Sequence, residues 1–169
     1  MGANKYIRET IINDYKNRGD VYKKKLAAWS KDPAITRVER PSNLPRARAL
    51  GYKAKEGIII ARTGVRKGTR KRQTAGGGRK PSKSGRFFSR HKSVQLIAEE
   101  RVAKKFTNYE VVNSYFVGET GTKRYYEVIL ASKDSPALKN DSAYKNIIRS
   151  PRRAERALTA SGRRMRGLH

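Results

Sequence analysis

Tyr109-Glu110-Val111-Val112-Asn113-Ser114-Tyr115-Phe116-Val117, then Gly118-Glu119-Thr120-Gly121, then Tyr125-Tyr126-Glu127-Val128-Ile129-Leu130, is the stretch whose reading decides the fold. Both flanks are rich in Val, Tyr and Ile, which suit a pleated, half-buried backbone, and the glycines between them supply a turn. An antiparallel hairpin over 109–117 and 125–130 is therefore predicted. Upstream, Val94, Ile97, Val102 and Phe106 mark one face of a helix that begins at Ser93 and ends near Asn108. Gly57-Ile58-Ile59-Ile60-Ala61 has the β-branched, glycine-bounded pattern of a buried strand. Ala34 to Arg40 alternates weakly through Ile35 and Val38 before Pro41 and reads as a further strand.

The remaining segments read as helices. Ile7, Ile11 and Tyr15 repeat every four residues; after Gly19, Asp20 caps a second helix with the stripe Tyr22, Leu26 and Trp29, which assigns Trp29 to the core. Asn43 caps a short basic helix with Pro45 in its first turn and Gly51 at its end. Ser150-Pro151 opens a last helix that Gly162 closes. The expected class is α+β: a small antiparallel sheet flanked by helices, with a long basic internal arm and a basic C-terminal tail. A length of 169 residues predicts one domain, 1–169, with an extended arm at 63–90 and a tail at 162–169.

Charge identifies the class of partner. Lys and Arg number 41 against 14 Asp and Glu, a formal net charge of +27. The mutual repulsion of the excess opposes compaction unless a polyanion neutralises it, and a nucleic acid carries phosphate at the needed density. Between Glu56 and Glu99 no acidic residue occurs, yet Arg62, Arg66, Lys67, Arg70, Lys71, Arg72, Arg79, Lys80, Lys83, Arg86, Arg90 and Lys92 all fall there. The stretch 63–90 has few aliphatic residues and many glycines, so it cannot build a core of its own and is expected to order only on its partner. At about 3.3 Å per residue it reaches about 90 Å when stretched. Arginine forks clasp phosphates bidentately. Phe87-Phe88 can stack on unpaired bases or anchor the arm to the core, and Tyr52, with Lys53 and Lys55 close by, can meet RNA or pack.

Enzymatic constellations are not found. Cysteine is absent and the histidines are His91 and His169 alone, which leaves no zinc-finger spacing and no thiol nucleophile. Gly64 to Thr69 lacks the Gly-Lys-Ser/Thr ending of a phosphate loop, and His91 stands between Arg90 and Lys92 with no orienting carboxylate. Glu99 and Glu100 read as helix-surface salt-bridge partners. No catalytic residue, metal site, cofactor or small-molecule substrate is expected. Met1 to Arg8 offers no apolar run for a signal peptide or membrane span, and Tyr6 stands where a myristoylation motif wants Ser or Thr.

Val38-Glu39-Arg40-Pro41, Ala47-Arg48, Gly51-Tyr52-Lys53-Ala54-Lys55, Gly57, Val65-Arg66-Lys67-Gly68, Ala98-Glu99-Glu100-Arg101, Val112-Asn113-Ser114-Tyr115, Val117-Gly118, Glu127-Val128-Ile129-Leu130, Gly162-Arg163-Arg164 and Arg166-Gly167-Leu168, in that order, resemble the archaeal and eukaryotic type of large-subunit ribosomal protein fifteen. The resemblance implies a structural constituent of the cytoplasmic large ribosomal subunit, partnered by rRNA and neighbouring ribosomal proteins. It also implies extensions that thread rRNA, with no catalytic activity. Carried over, the rRNA contacts are Arg46, Arg48, Tyr52, Lys53 and Lys55, the arm cations named above with Phe87, and Arg163, Arg164 and Arg166. The rival readings are a DNA-compacting architectural protein, which shares the charge and the glycine-rich arm, and an RNA-processing enzyme.

Overall fold

The computed structural model describes residues 2–68 and 91–168, so the candidate contacts from Arg70 to Arg90, Phe87 included, lie outside the described residues. Among those described, the chain runs α1 (Ala3–Asn17), α2 (Asp20–Lys31), β1 (Ile35–Val38), α3 (Leu44–Ala49), β2 (Ile58–Arg66), α4 (Val94–Lys105), β3 (Tyr109–Glu119), β4 (Lys123–Ser132), α5 (Pro136–Lys139), α6 (Ser142–Ile148) and α7 (Ala160–Met165). The strands form one antiparallel sheet in the order β1-β2-β4-β3, and the fold class is α+β as the sequence indicates.

The sheet is buried on both faces, and period-2 alternation sorts the side chains between them. Ile59, Ala61, Val128 and Leu130 pack with Val102 of α4 and with Ala154. Ile58, Ile129 and Ala131 point the other way and meet Ala47 of α3, Leu138 of α5 and Tyr144 of α6. Each fully buried Ile, Leu or Val here contributes about 1.5–3 kcal/mol by leaving water. Tyr22, Leu26 and Trp29 of α2 pack on Tyr125 at the turn end of the hairpin, so Trp29 is a core residue.

Three differences from the sequence reading have physical causes. First, β2 does not stop at Ala61. Thr63 to Arg66 stay in the sheet opposite Tyr126 to Lys123, because Val65 packs with Ala98 and Tyr126 and is itself buried. Those residues are strand, not arm. Second, Gly118 is a strand residue, and Thr120 makes the turn with its N–H donating to the Lys123 carbonyl at 2.8 Å. Glycine stands at 118 because a Cβ there would lie 2.8 Å from Tyr22 Oη and 3.2 Å from Leu26, in the seat of α2.

Third, no helix runs from Pro151 to Gly162. Residues 151–157 form turns, with Arg152 and Ala157 in the left-handed region at φ 56° and 53°, and α7 starts only at Ala160. The carboxyl group of Glu110 on β3 accepts the backbone N–H groups of Arg152 at 2.9 Å and Arg153 at 3.3 Å, which holds the turn against the sheet. Gly162 lies inside α7, where a Cβ would sit 2.5 Å from Ala157 Cα. The short helices α5 and α6 each bury a single side chain, Leu138 and Tyr144, too little to show helical periodicity in sequence.

Candidate nucleic-acid interface

Buried carboxyl groups fasten the basic segments to the sheet. Glu127 on β4 is fully buried and accepts hydrogen bonds from Ser42 N at 2.9 Å, Ser42 Oγ at 2.5 Å and the Tyr115 hydroxyl at 2.5 Å. Burial, and next the charge of Glu127, push the Tyr115 hydroxyl far above its ordinary value, so it remains a donor. Ser42 leads directly into Asn43, whose side chain accepts the Arg46 N–H at 3.0 Å and caps α3. The helix that carries Arg46 and Arg48 is thereby fixed to the sheet.

The tail is anchored in the same manner. Glu99 of α4, expected on the surface, is fully buried; it accepts hydrogen bonds from Ser114 Oγ, from Thr159 Oγ1 at 2.5 Å and from Ser161 Oγ at 2.6 Å. Its neighbour Glu100 does form a surface ion pair, with Lys92 at 2.7 Å. Thr159 also caps α7 by accepting the Gly162 N–H at 3.3 Å. Arg163, Arg164 and Arg166 are exposed on the helix so placed and on its C-cap.

These anchors bring two candidates together that lie far apart in sequence. Arg46 of α3 and Arg164 of α7 line one open cleft of about 750 Å³, bounded by the β3 edge strand, and Lys5 and Arg8 of α1 join them. Among the described residues no acidic one lines it. Lys5 and Arg8 were not singled out by sequence, because attention falls on the apolar stripe Ile7, Ile11 and Tyr15. The available signal was that Lys5, Arg8 and Ile12 themselves recur at helical spacing on another face.

The other candidates are dispersed. Lys53 and Lys55 converge on Asp141, at 3.5 and 2.9 Å, and the hydrogen bond from Lys55, with the Ala143 N–H and Lys53, holds that carboxyl down at about 2. Arg62 is committed to the fold: its guanidinium bonds Asp32 at 2.7 Å and lies 4.5 Å over the Trp29 ring. Lys67 pairs with Glu119 at 3.2 Å; although burial pushes the Glu119 carboxyl up, hydrogen bonds from Lys67 and Arg124 hold it below its ordinary value. Tyr52 is half-buried against the α3, α5 and α6 face of the sheet, so packing occupies part of its ring. Arg48 and Arg66 are exposed but away from the cleft lining.

Among the described residues no cluster of His, Asp and Glu has the arrangement of a metal site, and no helix is long and apolar enough to cross a membrane. The family described as Ribosomal L15, of the L15e type, matches residues 2–169. The chain is 42% identical over 169 residues to the large ribosomal subunit protein eL15 of Methanocella arvoryzae, covering 98% of this chain and 86% of that one. It is 46% identical over 152 residues to the eL15 of Metallosphaera sedula, covering 88% of this chain and 70% of that one. With a sheet buried on both faces, basic segments pinned to it by buried carboxyl groups, and similarity over nearly its whole length, the chain belongs to the eL15 family of large ribosomal subunit proteins.

Proposed function

We propose that this protein is a structural constituent of the cytoplasmic large ribosomal subunit that binds rRNA through the cations of α3, α7 and the tail and through the basic stretch after β2, and that it acts without catalysis. The observation that carries this reading is the cleft between α1, α3 and α7, which Arg46 and Arg164 both line, with no acidic residue in the lining among the described residues. Cations grouped in this way favour a polyanion, and phosphate contacts of this kind fix a protein's position on folded RNA. Arg62 is withdrawn from the contact set, since Asp32 and Trp29 occupy it. Neighbouring ribosomal proteins are the other expected partners.

The test is co-sedimentation. The protein should travel with the large subunit from a cell lysate and stay there through a moderate salt wash. Recovery with chromosomal DNA instead would favour the architectural rival.

A further inference from the structure

We infer that the cleft between α1, α3, α7 and the edge strand β3 is a pocket for a single unpaired nucleotide of the RNA, its phosphates held at the rim and its base laid against Phe116. This rests on the RNA-binding reading above and narrows it to one site and one ligand form. The cleft is not a uniformly charged surface. Its cations are Lys5, Arg8, Arg46 and Arg164, while Ile12, Pro45, Leu50 and Phe116 add apolar surface to the same lining. A continuous RNA duplex presents phosphates and ribose to a protein and keeps its base faces stacked inside, so it has nothing to offer that apolar surface. An unstacked nucleotide offers both an anion and a π-face.

Phe116 is fitted for that contact. It is 38% exposed, although it stands on a strand whose neighbours are mostly buried. Its ring is held by edge-to-face contacts with Tyr15 at 5.5 Å and Tyr126 at 5.9 Å, so it is a fixed surface and loses little freedom on binding. Asn113, three residues earlier in the same lining, uses its Oδ1 to accept the Ser114 N–H at 2.9 Å, which leaves its amide N–H₂ as a donor toward a base edge or ribose. An acidic protein segment would satisfy the cations but would leave the exposed Phe116 ring without a matching partner.

The experiment compares two RNA probes with the full chain: a duplex carrying one bulged thiouridine, and the same duplex fully paired. The bulged RNA should bind on the order of tenfold more tightly, the scale of one base–aromatic stack. Irradiation should cross-link the thiouridine within residues 113–116. Phe116→Leu, which keeps the apolar volume, should remove the preference and leave affinity for the paired duplex unchanged; Phe116→Ala repeats the test should the leucine variant fold poorly. Arg164→Gln should weaken both RNAs. Equal affinity for the two probes, or cross-links confined to other segments, would overturn the nucleotide pocket while general RNA binding stands. Failure to bind either probe would sink the RNA-binding reading and the pocket with it.

Discussion

Glu99 Oε2 lies 2.6 Å from Ser161 Oγ, and this contact between α4 and the second residue of α7 couples the sheet's helical cover to the basic tail. Ser114 and Thr159 donate to the same carboxyl group, which is wholly buried. A carboxyl in this position is fully supplied with donors, and each donor depends on it for its acceptor.

Replacing Glu99 by Ala should therefore cost about 2–4 kcal/mol, since it strips three buried hydroxyl groups of their partner. Ser161→Ala should cost only about 1 kcal/mol, because Glu99 keeps the other two donors. Urea unfolding of the two variants measures the difference. Equal costs would show that the network does not act through Glu99.

Gly162→Ala should destabilise by about 1–3 kcal/mol, the usual cost of overpacking, because the new Cβ would meet Ala157 backbone at 2.5 Å. In the interior of an unconstrained helix the same change stabilises by up to about 1 kcal/mol. The sign of the effect in thermal unfolding thus reports whether the 151–157 turn is packed against α7.

Arg62 and Arg164 should separate stability from RNA affinity. Arg62→Ala removes the Asp32 bond and the Trp29 contact and should cost about 1–2 kcal/mol of stability while leaving the salt dependence of RNA binding unchanged. Arg164→Ala should leave unfolding unaffected and lower the slope of log affinity against log salt by about 0.7–0.9, one phosphate contact. Titrations at several salt concentrations, paired with melting curves, check both. A slope that drops for Arg62→Ala would return that residue to the contact set.

Acid should loosen the Lys53–Lys55–Asp141 contact in a defined window. The Asp141 carboxyl sits at about 2 against an ordinary 3.8, a lowered value, so its contribution is complete above about pH 4 and is lost as pH falls through about 2. Asp141→Asn should make stability fall less steeply between those limits. Denaturation midpoints measured across that range would reveal an unchanged slope if the contact carried no weight.

Much of the sheet was legible because its residues obey a local rule. Tyr109 to Val117 and Tyr125 to Leu130 are strand formers around a turn, and Tyr22, Leu26 and Trp29 declare one helical face wherever α2 is placed. The capping residue Asn43 also announces itself, since its side chain bonds a backbone N–H three residues on. Net charge and the empty acidic register from Glu56 to Glu99 are likewise properties of the chain alone, and they pointed to a polyanion before any fold was known.

What the sequence did not disclose depends on contacts between distant residues. Whether Thr63 to Arg66 belong to strand or arm is decided by pairing with β4, and whether Pro151 opens a helix is decided by Glu110, 42 residues from Arg152 along the chain. The same holds for charge: Glu99 reads as a surface acid beside Glu100 until Ser114, Thr159 and Ser161 close around it, and Arg62 reads as a free cation until Asp32 and Trp29 take it. Sequence determined the strands, the helical faces and the sign of the partner, because propensity and charge are local. Tertiary structure alone decided which cations pair within the fold and which share a cleft, because burial and pairing are set by whatever the folded chain brings alongside.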